Sequence, residues 1–180
     1  GRFLDRRAVT LMSPPGAMKP DMRMRTAVFI GVVAAATVGG AWVFQAFGIV
    51  PCELCLKERI AYYGAVPLAA IIAYAGNGRA RAAVVAPGLI GLALIFAVNA
   101  GLGIYHSGIE WSFWSGPSDC TGVIAGPPNV ADLLKEIQHT KVVRCDDVQI
   151  RVFGLSLANW NAVISAALAV LAGRAAIMDR

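Results

Sequence analysis

The stretch TAVFIGVVAAATVGGAWVFQAFG, residues 26–48, holds no charged side chain. At ~1.5 Å per residue such a helix spans the ~30 Å hydrocarbon core of a bilayer. It predicts a first membrane helix. A cleaved signal peptide is the competing reading, since basic residues precede the run and Ala34, Ala35 and Ala36 offer small side chains. The apolar region of a signal peptide is usually only about 7 to 15 residues, which favours the membrane helix. The whole chain agrees: 57% of its 180 residues are hydrophobic, 15% are charged, and the mean hydropathy is +0.62. Those values exclude an ordinary soluble domain and make the lipid bilayer a partner. The net charge of +5 does not imply nucleic acid, because no basic stripe interleaved with aromatic residues is present.

Working outward from this run, residues 1–25 are polar and basic and are broken by Pro14-Pro15-Gly16, which predicts a disordered arm. Further apolar runs predict spans over 56–76, 82–105 and 155–173, with Pro67 inside the second, a basic turn at Asn77 to Arg81, and a tail over 174–180. Loops fall at about 49–55 and 106–154. Within the longer loop, Val130, Leu133, Leu134 and Ile137 recur on one helical face after Asn129, opposite Asp132, Lys135, Glu136 and Gln138. That pattern fits a short helix lying in the bilayer interface, or equally one packed on the loop itself. The expected architecture is an all-α membrane protein, a bundle of four transmembrane helices with a long loop bearing a short interfacial helix.

The arm, the basic turn and the tail hold ten of the sixteen Lys and Arg residues but only three of the eleven acids. The positive-inside rule therefore places both termini in the cytoplasm and the two loops outside it. All four cysteines fall in those outer loops: Cys52, Cys55, Cys120 and Cys145. An oxidising compartment is where disulfides persist.

Cys52 and Cys55 lie in PCELCLKER, residues 51–59, at the head of the second span. A helix amino terminus favours the thiolate, which is the reactive form of a thiol. On a helix, Cys52, Cys55 and Arg59 share a face, so the guanidinium can stabilise a thiolate or hold a carbonyl oxygen of a bound acceptor. Glu58, one turn beyond Cys55, would oppose a thiolate if it turned inward. For Arg59 the plainer reading is a cation snorkelling at the membrane edge. A zinc site built from the four cysteines is disfavoured, because only Cys52 and Cys55 have metal-type spacing. Two structural disulfides in a non-enzymatic membrane protein remain the other alternative. His106 is either an interfacial polar residue or a neighbour of the redox site, and Tyr105, Trp111 and Trp114 fit an interfacial aromatic belt.

Three segments carry a family resemblance: Gln45 to Arg59 around the Cys-x-x-Cys pair, Gly108 to Gly122 around Cys120, and Phe153 to Asn161. Together they resemble the bacterial disulfide bond formation protein B family, DsbB, over roughly residues 26–173. The resemblance implies an inner-membrane enzyme that takes electrons from a periplasmic DsbA-like thiol oxidase and passes them to a membrane quinone, ubiquinone or menaquinone; a DsbA–DsbB–quinone relay is what keeps the bacterial periplasm oxidising. By the same resemblance, Cys120 would form the mixed disulfide with the partner and Cys145 would relay to Cys52. Cys55 would face the quinone, Arg59 would hold a quinone oxygen, and Gln45 and His106 would lie near the ring. Glu53 and Leu54, between the two cysteines, depart from the family's pattern and put a carboxylate beside the sulfurs.

Overall fold

The computed structural model describes residues 20–76, 81–117 and 144–177. Among them are four long helices, α1 (Pro20–Ala46), α2 (Glu53–Ala75), α3 (Arg81–Glu110) and α4 (Leu157–Ile177). A two-residue antiparallel ladder, β1 (Arg151–Val152) with β2 (Leu155–Ser156), precedes α4. Three of the helices contain stretches long and apolar enough to cross a membrane: Met22–Ala46, Ala83–Glu110 and Leu157–Ile177. The head of α2 carries Glu53, Lys57, Glu58 and Arg59, which dilutes its hydropathy.

The element limits differ from the sequence expectation in several places; α4, for one, runs to Ile177, so residues 174–177 are helical rather than part of the tail. Helix α1 starts at Pro20, so residues 20–25 are helical rather than part of the arm. Proline suits a first helical turn, where its missing N–H would have had no intrahelical partner. Arg23 in that turn donates from Nη2 to the Ala176 carbonyl oxygen at 2.9 Å, which places a cation at the carboxy-terminal end of α4. Helix α2 starts immediately after Cys52, making Cys55 helical. Helix α3 runs past Tyr105 to Glu110, so His106 is helical where a loop was expected. The hydroxyl of Ser107 is satisfied there by the Gly103 carbonyl oxygen at 2.8 Å. Before α4, residues 155 and 156 are strand, joined to β1 through Phe153 and Gly154, both with positive φ (52° and 82°), the backbone of a tight hairpin turn. Residues 1–19 of the expected arm, the expected interfacial helix near Leu133, and Cys120 lie outside the described residues.

Large apolar side chains fill the centre of the bundle: Ile30, Ile72, Leu89, Leu92 and Phe96 are fully buried. Others face outward, with Val32, Ile71, Leu94, Val98 and Val170 all more than half exposed, as expected where lipid rather than water surrounds a bundle. Helices in lipid gain little from apolar burial and associate through close packing and interhelical hydrogen bonds. Both are present between α3 and α4. A Cβ on Gly103 would sit 2.9 Å from the Ala162 backbone nitrogen, so the backbones meet there because residue 103 has no side chain. Beside it, Tyr62 Oη donates to Asn161 Oδ1 at 2.6 Å, and Asn99 Nδ2 donates to Asn161 Oδ1 at 3.1 Å and Ser165 Oγ at 2.9 Å. This buried network ties α2, α3 and α4 together.

Candidate redox site

A second, smaller apolar cluster joins Cys52, Leu54, Ile109 and Cys145 at the loop end of the bundle. Cys52 is the N-cap of α2: its backbone is extended, and its sulfur accepts the Cys55 backbone N–H at 3.3 Å. A cap sulfur satisfies one of the orphan donors of the first turn, and the helix dipole there favours negative charge. The helix also brings Cys55 back over Cys52, with the two sulfurs 2.9 Å apart. Both are free thiols.

The two sulfurs are not equivalent. The contact with Cys55 above all, with help from His106, pulls the Cys52 thiol down to about 4 against the opposing effect of burial. The same contact, then burial, pushes the Cys55 thiol upward. Cys52 is thus the more acidic of the two thiols.

His106 and Glu58 complete the inner side of the site. His106 Nε2 lies 3.6 Å from Cys52 Sγ, and its Nδ1 lies 2.8 Å from Glu58 Oε1. All three residues are buried: Cys52 and Glu58 are 5% exposed and His106 is 2% exposed. Glu58 does turn inward, yet it meets the imidazole rather than facing the sulfurs unbalanced. Its partner is not legible in the sequence, because the contact joins α2 to a part of α3 that reads as loop. An acid and a histidine at the outer ends of neighbouring apolar segments were the available signal.

Cys145 is disulfide-bonded, and its sulfur, the Cys52 sulfur and a His106 ring nitrogen all lie within 4.8 Å of one another. A thiolate beside a disulfide sulfur is the geometry of thiol–disulfide exchange, which proceeds by attack of one on the other. The segment carrying Cys145 is held in place by Gln149, whose Nε2 donates to the Val50 carbonyl oxygen at 2.7 Å. The segment then passes into the hairpin. There Trp160 Nε1 donates to the Val152 carbonyl oxygen at 2.9 Å, and Ser156 caps α4 by accepting the Asn159 N–H at 3.2 Å. The Ser156 hydroxyl also donates to Glu110 Oε2, joining the start of α4 to the end of α3.

A cavity of about 310 Å³ opens beside these groups, lined by Cys52, Cys55, Glu58, Arg59, His106 and Cys145 and by apolar residues including Val38, Phe44, Ile49 and Ile164. Arg59 Nη1 donates to Gln45 Oε1 at 3.0 Å. The structure thus brings Cys52, Cys55, Arg59, His106 and Cys145 to one cavity; Gln45 stands behind Arg59 and is not among its lining residues. Tyr105, Trp111 and Trp114 are partly exposed at the same end of the bundle, with the Tyr105 and Trp114 rings stacked at 6.0 Å.

The sequence model of the family described as Disulfide bond formation protein DsbB matches residues 23–175, which include all four helices but for the outermost residues of α1 and α4. Neither a curated protein nor a solved structure gives a significant match.

Proposed function

The chain belongs to the DsbB family of disulfide bond formation proteins, and from that premise we propose that it is a thiol:quinone oxidoreductase. In this reading it reoxidises a periplasmic DsbA-like thiol oxidase and passes the electrons to ubiquinone or menaquinone in the bacterial inner membrane. The observation that carries it is the place of Cys52, beside the disulfide-bonded Cys145 and on the wall of a largely apolar cavity.

The two cysteine pairs divide the work. Cys120 takes the partner's thiolate and becomes the mixed disulfide, which releases Cys145. With the inner pair in its oxidised form, the freed Cys145 thiolate attacks Cys52 of the Cys52–Cys55 disulfide; the Cys145–Cys52 bond forms, the Cys52–Cys55 bond breaks, and Cys55 leaves as the thiolate that faces the acceptor. An outer loop suits the protein partner, whereas a lipid-soluble acceptor has to be met at the bilayer edge.

The cavity fits a quinone head group: its wall is largely apolar, both Cys52 and Cys55 reach it, and the guanidinium groups of Arg59 and Arg144 line it. Arg59 would hold a ring oxygen, with Gln45 fixing the guanidinium through the bond at 3.0 Å and His106 on the cysteine side. A bound quinone supplies an acceptor for two electrons and two protons.

In the same reading α2 is the fourth crossing, which is supported by the outward exposure of Ile60, Ile71 and Tyr74 along it. Both termini are then cytoplasmic and the cysteine loops periplasmic, following the distribution of Lys and Arg. Cys145→Ala tests the partner step. It is expected to accumulate a covalent complex with a periplasmic thiol oxidase through Cys120, visible on a non-reducing gel and lost in Cys120→Ala. A Cys145→Ala protein that traps no thiol oxidase contradicts the reading.

A further inference from the structure

We infer that, once the Cys145 disulfide is reduced, Cys52, His106 and Cys145 form a binding site for one zinc-type divalent cation. The inference goes beyond the proposed oxidoreductase activity and needs neither a quinone nor a partner protein.

The spacing of the cysteines disfavours a four-cysteine site, but the fold assembles a different ligand set. Cys52 caps α2, His106 stands on α3, and Cys145 belongs to the segment ahead of the hairpin. Their two sulfurs and a ring nitrogen lie within 4.8 Å of one another, and all three residues are buried. A tetrahedral zinc ion, with bonds of about 2.3 Å to sulfur and about 2.0–2.1 Å to nitrogen, holds two such ligands about 3.6 Å apart. Cys52 Sγ and His106 Nε2 are 3.6 Å apart. The other ring nitrogen, Nδ1, lies 2.8 Å from Glu58 Oε1. A carboxylate behind a metal-bound imidazole accepts the Nδ1–H and leaves the Nε2 lone pair to the ion, so binding selects that tautomer.

Charge favours the same set. Cys52 and Cys145 bind as thiolates, each giving its proton to solvent, and no electron moves. Two thiolates and a neutral imidazole make the ion and its ligands neutral together, which suits the apolar cluster with Leu54 and Ile109. Cys55, whose sulfur lies 2.9 Å from that of Cys52, is not part of the ligand group. A third thiolate would leave the complex anionic beside the Glu58 carboxylate. All three ligands line the cavity, so the fourth position falls to water. While Cys145 is disulfide-bonded its sulfur is no thiolate, and the set is incomplete. The site thus opens in the reduced protein, where an ion on Cys52 keeps the Cys52–Cys55 disulfide from forming.

Cobalt(II) is the probe, because its charge-transfer absorbance reports thiolate ligands. The full chain in detergent is reduced completely with a phosphine, freed of reductant and titrated anaerobically. One cobalt per chain is expected, with charge-transfer absorbance for two thiolates that zinc abolishes by displacement. Cys55→Ser and Cys120→Ala should keep that absorbance, whereas Cys52→Ala, Cys145→Ala and His106→Ala should lose it. No cobalt on the reduced wild type overturns the inference. So does absorbance that persists in Cys52→Ala, Cys145→Ala or His106→Ala, or that is lost in Cys55→Ser or Cys120→Ala. Glu58 acts through the imidazole and is a positioning residue. Glu58→Ala should weaken zinc binding about 10- to 100-fold, and Glu58→Gln, which keeps an acceptor for Nδ1–H, should recover part of that loss. Unchanged affinity in Glu58→Ala, or no recovery in Glu58→Gln, overturns the part assigned to Glu58.

Discussion

Gln149 Nε2 donates to the Val50 carbonyl oxygen across 2.7 Å, although 99 residues separate the two in the chain. The bond ties the segment that carries Cys145 to the segment that leads into Cys52, and so sets the distance between the two reacting sulfurs. A side-chain hydrogen bond of this kind contributes ~0.5–1.5 kcal/mol. With Cys55 and Cys120 replaced by alanine, Gln149→Ala should slow disulfide formation between Cys52 and Cys145 by roughly 2- to 12-fold. Oxidised glutathione with timed acid quenching gives the rate. An unchanged rate would show that the loop is positioned by other contacts.

The state of Cys52 makes a second prediction. Alkylation by iodoacetamide follows the thiolate fraction, and the folded protein keeps that fraction high because Cys55 and His106 hold the charged form. A depressed value means reactivity is retained as pH falls and is lost only on passing about 4. An ordinary thiol would lose it below about 8.5. Removing the largest contribution, the Cys55 side chain, should move the midpoint upward in Cys55→Ala. A midpoint that stays in place would mean that His106 alone sets the charge of Cys52.

Much of this site was legible in PCELCLKER, and much was not. Cys-x-x-Cys before an apolar run places a thiol at a helix start, and the cap geometry of Cys52 is a local consequence of that sequence. Arg59, seven residues after Cys52, reaches the same cavity for the same reason. The Glu58–His106 bond was not legible, since it depends on α3 staying helical through Ser107 and Gly108, residues that read as an end. Gly108 there makes room for the Trp114 indole, which a Cβ would meet at 2.0 Å. Asn99, Asn161 and Ser165 were equally silent: isolated polar residues in apolar runs take meaning only when α3 and α4 bring them together. The hairpin at Phe153 and Gly154 depends on backbone angles that a phenylalanine rarely adopts, so composition gave no hint of it.

The close approach of α3 and α4 yields a third prediction. Gly103→Ala would push a methyl group to 2.9 Å from the Ala162 nitrogen, and backbone cannot swing aside as a side chain can. Overpacking of this kind costs about 1–3 kcal/mol. The variant should unfold at lower temperature in detergent, while the Cys52 alkylation midpoint stays where it is. Unaltered unfolding would show that the two helices separate there at little cost.

The most direct test of the central proposal is quinone reduction by the purified protein in detergent, supplied with a reduced DsbA-like thiol oxidase and followed by the quinone's own absorbance. The account predicts steady conversion to quinol by the wild-type chain and none by Cys55→Ser, which keeps the fold but leaves Cys52 no partner for its disulfide. Quinone reduction by Cys55→Ser at the wild-type rate would contradict it.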